Sequence, residues 1–306
     1  MKRLSRREFV RLSTAGAVAS PFVLDPAALG AAAPTAQEVV DRIRKSLGVS
    51  WKPDTVDTFK AGDPSTVVTG VVTTSLATID VLRRAVKAGA NMVITSGPTF
   101  YSRTDSPMPP AGRGRGAAAS PPADPVFVAK NEFIKTNNLV VWRFSDHWRL
   151  RTPDPFAQGI VDALGWGKHP AGSTPGHISV PAVTLETLVA DVTAKLGARG
   201  GMRIIGNPRT RLQTIAVLPG TVPIQAALIH LPRVDAIVAG EIREWESSEY
   251  VRDAITANRD KALILVGRTL SEDRGMSVCA QWLGTIVPET PVRWLPAGDP
   301  YWRPAV

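Results

Sequence analysis

Apolar positions recur along this chain in two alternating rhythms. Over 36–47 (AQEVVDRIRKSL), Val39, Val40, Ile43 and Leu47 fall at helical spacing. A polar stretch then leads into 67–74 (VVTGVVTT), a β-branched run that predicts a strand. Helical spacing returns over 76–87 (LATIDVLRRAVK), and the short apolar run Met92, Val93, Ile94 predicts the next strand. That strand breaks at once at Ser96-Gly97-Pro98. A further helix over 126–136 and a strand over 139–144 complete a strand–helix–strand series, the unit of a mostly parallel sheet.

The second part of the chain repeats this grammar. A helix is predicted over 185–196, with Leu185, Leu188, Val189, Val192 and Leu196 on one face. Strands are predicted over 203–206, 214–218, 236–240 and 262–267, with helices over 222–231 and 247–257 between the later ones. A short helix over 156–164 closes the first part. The pattern predicts an α/β fold of two similar halves with mixed or mostly parallel sheets, residues 34–170 and 171–306. Between 102 and 125 the chain is rich in Pro, Gly and Ala and reads as a loop, whose Arg113 and Arg115 suit a solvated tip better than a ligand site.

Composition narrows the class. The 306 residues are 44% apolar and 21% charged, the proportions of a soluble globular protein. Net charge is +9, but residues 1–33 hold Lys2, Arg3, Arg6, Arg7 and Arg11 against Glu8 and Asp25, a surplus of three, leaving +6 on the rest. That excess is spread thinly and lacks the clustered Lys, Arg and aromatic residues of a nucleic-acid surface. The single cysteine, Cys279, excludes an intramolecular disulfide and a thiolate cluster and reads as a core residue. Beyond the N-terminus no apolar run reaches the ~18 residues of a membrane span.

The N-terminus carries its own signal. Ser5-Arg6-Arg7-Glu8-Phe9-Val10 resembles a twin-arginine export motif, followed by a modestly apolar stretch from Leu12 to Leu24 and by Ala31-Ala32-Ala33. Residues 1–33 are therefore read as a signal peptide cleaved near Ala33, which implies a protein folded before export to the periplasm or another extracytoplasmic space.

A collinear series of short motifs then suggests a family. Met202-Arg203-Ile204-Ile205-Gly206-Asn207-Pro208 resembles the VRxVGDP signature of the Nif-three-like proteins, the dinuclear metal-centre family also labelled GTP cyclohydrolase I type 2. Asp235-Ala236-Ile237-Val238-Ala239-Gly240-Glu241 is similar to its DAxxTGE segment. Gly62-Asp63-Pro64 with Val68-Thr69-Gly70-Val71 resembles its GDP…VTGV entrance, and Asn138 to Val141 leads into a loop at Ser145-Asp146-His147-Trp148. The resemblance runs over about residues 36–290. It implies α/β subunits assembled as homo-oligomers, ring-like hexamers in the family, with a two-metal site between the halves that activates a bridging water.

Carried over residue by residue, the resemblance also implies that most of the metal ligands are gone. The family's His-His pair falls on Ser96 and Gly97, with Pro98 kept. The loop His falls on His147, but the Asp four residues later falls on Arg151, with Asp146 and Asp154 nearby. In the C-terminal His-x-x-x-Glu, Arg268 replaces the His and Glu272 remains. His147, Glu272 and Asp146, joined in one arrangement by Asp105, are the candidate ligands for zinc, iron or manganese, although tight sites use three or four donors. His147 also reads as a structural histidine, and Glu272 as the i,i+4 partner of Arg268. His169, His177 and His230 read as structural, without partners at ligand spacing. Glu241, Glu244 and Glu246 suit acid–base work or metal binding, but their place after a strand favours an acidic helix start.

Three functions follow. The first is a scaffold or binding protein with a degenerate metal site, in which Ser96, Gly97, Arg151 and Arg268 line a basic pocket for a small anion. The second is a metal-dependent, cyclohydrolase-like hydrolase with a rebuilt site of one or two metals. The third is a cell-envelope interaction protein that relies on its ring assembly. Loss of donor atoms favours the first.

Overall fold

A run of buried, β-branched residues has no polar face to offer solvent, so it folds as a strand covered on both sides. Met92–Thr95 and Val71–Thr74 are buried at every position. In the computed structural model, which describes residues 32–103, 105, 124–169, 174–198 and 201–301, these strands lie at the centre of one of two five-stranded sheets. Residues 1–31, most of the expected signal peptide, and most of the Pro/Gly-rich stretch, with Arg113 and Arg115, lie outside the described residues.

The first sheet runs in the order β1 (Phe59–Ala61), β4 (Val140–Arg143), β3 (Met92–Thr95), β2 (Val71–Thr74), β10 (Val292–Trp294). Its strands are parallel except β1, which pairs antiparallel with β4. The second runs β5 (His177–Thr184), β7 (Arg211–Val222), β8 (Ala236–Ile242), β9 (Ala262–Leu265), β6 (Arg203–Ile205). Here β7, β8 and β9 are parallel, and β5 and β6 are antiparallel edges. The expected α/β class with mixed sheets is therefore observed.

Helices cover both faces of each sheet. α1 (Ala36–Ser46) begins in a capping box between Thr35 and Glu38 and buries Val39, Val40 and Ile43 against one face of the first sheet. α2 (Ile79–Lys87) and α3 (Pro125–Thr136) cover the other face through Leu82, Ala85 and Ile134. α5 (Pro155–Leu164) and α6 (Leu185–Leu196) pack on one side of the second sheet, and α7 (Ile224–His230) and α8 (Glu249–Thr256) lie on the other side. The helix expected over 76–87 starts later, because the Thr78 hydroxyl caps Val81 N. The strand expected over 67–74 is shorter, because Val68 N donates to the Pro34 carbonyl and Thr69 N to the Asn91 side chain instead of to a neighbouring strand.

The element that joins the halves is α9 (Arg268–Gly284), which packs against β2 and β10 of one sheet and β7 and β8 of the other. Sheet membership thus does not follow a division at residues 170 and 171. Met276, Cys279 and Leu283 of α9 belong to the core under the first sheet, and β10 adds a strand beside β2. α9 crosses α5 at close range: a Cβ on Gly159 would meet the Arg274 carbonyl carbon at 2.4 Å, and one on Gly275 would meet the Phe156 ring at 2.4 Å. This crossing puts the first turns of α9 at the carboxyl ends of β2 and β3, where ligands bind in open α/β sheets. Cys279 is a core thiol, fully buried, and burial pushes its pKa well up.

Candidate functional site

The break after β3 delivers Ser96 to the end of α9. Its buried hydroxyl lies 3.2 Å from Glu272 Oε2 and 3.3 Å from the Ser75 carbonyl oxygen. Gly97 N donates to that same carbonyl at 2.8 Å. Glu272, one turn into α9, meets two guanidinium groups: Oε1 is 3.2 Å from Arg149 Nη2 and 3.7 Å from Arg268 Nε. Arg149 turns its other arm to Asp154 Oδ2 at 3.2 Å. Burial raises the pKa of Asp154, and the Arg149 charge opposes that rise.

Ser96, Glu272 and Arg268 lie together, but the second cation of the cluster is not the expected one. Arg151 lies outside this cluster, its guanidinium 5.0 and 4.8 Å from the Trp148 and Trp282 indoles, a cation–π contact with two adjoining rings. Arg149 takes the expected place. Residue counting alone could not separate them, because α4 (Asp146–Arg149) is a single helical turn that rotates Arg149 toward Glu272. The cluster is also balanced rather than basic, with Arg149 and Arg268 facing Glu272 and Asp154.

The loop that carries Arg149 is organised by a residue the sequence reading did not single out. Asp57, fully buried, accepts from the backbone N–H groups of Ser145, Asp146 and His147 at 2.6, 3.0 and 2.8 Å. Its Oδ2 also lies 2.7 Å from His147 Nδ1. At the other ring nitrogen, Lys52 N donates to His147 Nε2 at 2.8 Å, which places the His147 proton on Nδ1 toward Asp57. Trp51 stacks on the imidazole with centroids 3.7 Å apart. Asp146 Oδ2 accepts from Thr55 Oγ1 at 3.0 Å and Val56 N at 3.1 Å.

Comparison with solved structures follows this geometry. The Bacillus cereus protein related to NIF3 superposes with a TM-score of 0.66 at 12% identity, over 89% of this chain and 100% of that one. The Staphylococcus aureus hypothetical protein SA1388 gives 0.64 at 15% identity, over 88% and 99%. TTHA1606 from Thermus thermophilus gives 0.61 at 16% identity, over 88% and 100%. No family model and no curated protein sequence matches significantly. The fold is that of the NIF3-related proteins.

Whether a metal fits is a question of donor atoms. Among the described residues, no three His, Cys, Asp or Glu side chains converge as a ligand group. His147 has its lone pair taken by Lys52 N, and Asp146 is held to the 55–56 segment. Asp105 is spent elsewhere, on Arg143 at 3.1 Å, Lys60 at 3.5 Å and the N–H groups of Thr99 and Phe100. Glu272 has both oxygens engaged, Oε1 by Arg149 and Arg268 and Oε2 by Ser96, so it is not free to ligate a divalent ion. The residues present do not fit a zinc, iron or manganese centre.

The remaining candidates have ordinary partners. Glu241 is a strand residue of β8, not a helix start, and accepts from Thr221 Oγ1 of β7 at 2.5 Å. Glu244 and Glu246 lie in the first turn of the π-helical segment Glu244–Ser248 that runs into α8, an acidic helix start as expected. They pair with Arg203 and Arg243. His177 and His230 do meet, Nε2 to Nδ1 at 2.8 Å, because β5 and α7 lie side by side in the fold; burial lowers the pKa of both.

Asp273, next to Glu272, accepts from Ser75 N at 3.2 Å and Ala297 N at 3.2 Å and fastens the C-terminal segment over the strand ends. Burial raises its pKa, outweighing these hydrogen bonds. A raised native pKa means the carboxylate form weakens the fold at neutral pH, and that penalty fades as pH falls through the native pKa toward the unfolded value. Asp273→Asn, which keeps the acceptor without the charge, is expected to be more stable than the parent at neutral pH. Urea midpoints should converge by roughly pH 4.

Proposed function

We propose that this chain is an exported, Nif-three-like protein whose dinuclear metal site has been replaced by an ion-pair cluster, and that it works as a non-catalytic small-ligand-binding protein. The observation that carries this reading is Glu272 held between Arg149 and Arg268, with the Ser96 hydroxyl on its other oxygen. Where a metal centre would need converging neutral imidazoles and free carboxylates, this chain supplies guanidinium groups that neutralise the carboxylate. The twin-arginine-like leader supports export, and the resemblance supports assembly with copies of itself.

An expectation of a basic anion pocket at these positions changes accordingly, since the cluster satisfies its own charges. Ligand-binding capacity lies beside it instead. A cleft of about 330 Å³ opens between the 52–55 segment and the 145–150 loop, with Arg149 on its wall. Its size is at the lower end of the ~300–1,000 Å³ of small-molecule sites.

Elemental analysis of full-length protein purified without chelators tests the reading. Zinc, iron and manganese should be far below stoichiometric, and added metal should leave the melting midpoint unchanged. Near-stoichiometric metal that disappears in Glu272→Ala and His147→Ala would sink it in favour of a metal-dependent hydrolase.

A further inference from the structure

Resting on the reading of this chain as a binding protein, we propose that the cleft takes a cationic amino acid, with its carboxylate on Lys52 and its two ammonium-type groups on Asp54 and Asp146. The argument is a balance of charges. The charged residues lining the cleft are Lys52, Asp54, Asp146 and Arg149, apart from the buried His147. Arg149 is already matched by Glu272 and Asp154, so it brings no unbalanced charge. Lys52 Nζ and the Asp54 carboxylate form no ion pair or hydrogen bond with the described residues. Asp146 receives its hydrogen bonds, from Thr55 Oγ1 and Val56 N, on Oδ2 alone, and it forms no ion pair with the described residues.

Lys52, Asp54 and Asp146, one positive and two negative residues that are all exposed, therefore line a single cavity with no ion pair among the described residues. A bare anion would meet two carboxylates for one ammonium, and a diamine would leave Lys52 opposed by nothing. A molecule with one carboxylate and two cationic groups matches all three. Its neutral spacer would lie along Leu150 at the cleft wall.

The walls are held before any ligand arrives. Asp57 ties the 145–147 backbone, Lys52 N is fastened to His147, and Thr55 Oγ1 both accepts from Asp57 N at 3.1 Å and donates to Asp146. Little ordering of the loops remains to be done on binding, which favours affinity for a small ligand. Deep burial is absent, so the affinity expected is that of a partly solvated site.

Isothermal titration of the full chain with four probes tests this: L-lysine, norleucine (no side-chain amine), cadaverine (no carboxylate) and inorganic phosphate. L-lysine should bind most tightly, with norleucine and cadaverine each roughly tenfold weaker, the loss of one charge-assisted contact. Phosphate should not compete. Lys52→Met and Asp54→Asn, which change exposed side chains and leave the Lys52 backbone bond to His147 intact, should each weaken L-lysine roughly tenfold while leaving the melting midpoint in place. Phosphate binding as tightly as L-lysine would overturn the proposal in favour of an anion site. L-lysine binding unchanged by both substitutions would overturn the location, and failure of all four probes would overturn the ligand class. In each case the metal content stays a separate measurement, so the reading of a metal-free binding protein stands or falls on its own.

Discussion

Asp57→Ala is expected to lower unfolding free energy by roughly 4 kcal/mol, because it orphans several buried donors at once. The carboxylate takes three backbone N–H groups at the start of α4 and the His147 Nδ1 proton, all in a fully buried position. Water cannot reach those groups to compensate without opening the loop. Asp57→Asn, which retains an acceptor oxygen, should lose about half as much. Denaturant unfolding gives the size of the effect, and amide hydrogen exchange at residues 145–147 gives its place. A loss confined to less than about 1 kcal/mol, with exchange unchanged, would show that Asp57 does not organise this loop. Because the same loop carries Arg149 and Asp146, the variant should also loosen the Ser96–Glu272 cluster and the cleft together.

The second large effect concerns the end of β3. Gly97→His is expected to cost about 3 kcal/mol or more and to fail to create a metal site. A Cβ at Gly97 would lie 2.4 Å from Leu76 Cδ2 and 2.7 Å from the Ser75 carbonyl oxygen. Leu76 can move, but the Ser75 carbonyl is backbone that already accepts from Gly97 N, so the contact is relieved only by shifting the strand end. Gly97→Ala isolates that steric part and should cost about 2 kcal/mol. Zinc titration of Gly97→His followed by thermal unfolding provides the check. A folded variant of parental stability that gains stoichiometric zinc would show that the strand end still accommodates an imidazole. The packing around Gly97 thus leaves no room for an imidazole at this strand end: Leu76 and the Ser75 carbonyl fill the space a side chain would need.

Much of the scaffold was legible because it obeys local rules. The helix over 185–196 has its apolar face at regular spacing and a Thr184 hydroxyl capping its start, and the structure reproduces it at the same residues. Buried parallel strands such as Val71–Thr74 and Ala262–Leu265 announce themselves as unbroken apolar or β-branched runs. α9 escaped notice for the opposite reason. Packed between two sheets, it buries Ser271, Glu272, Asp273, Gly275, Met276 and Cys279 together and so has no single apolar stripe to read. β5 was missed because it begins with His177 and is only partly covered along its second half.

By itself the sequence determined the alternation of strands and helices, the polar break at Ser96-Gly97 and the four-residue spacing of Arg268 and Glu272, since each is a property of residue type and short-range spacing. Only the tertiary structure decided which charges meet. Arg149 rather than Arg151 reaches Glu272, His147 turns both nitrogens inward to Asp57 and Lys52, and Lys52, Asp54 and Asp146 line one cleft. Those pairings join residues roughly ninety to more than a hundred positions apart, and they depend on where α9 crosses the strand ends and how a single turn of helix is rotated. Electrostatic energy depends on distances of a few ångströms, and no local pattern in a chain encodes them.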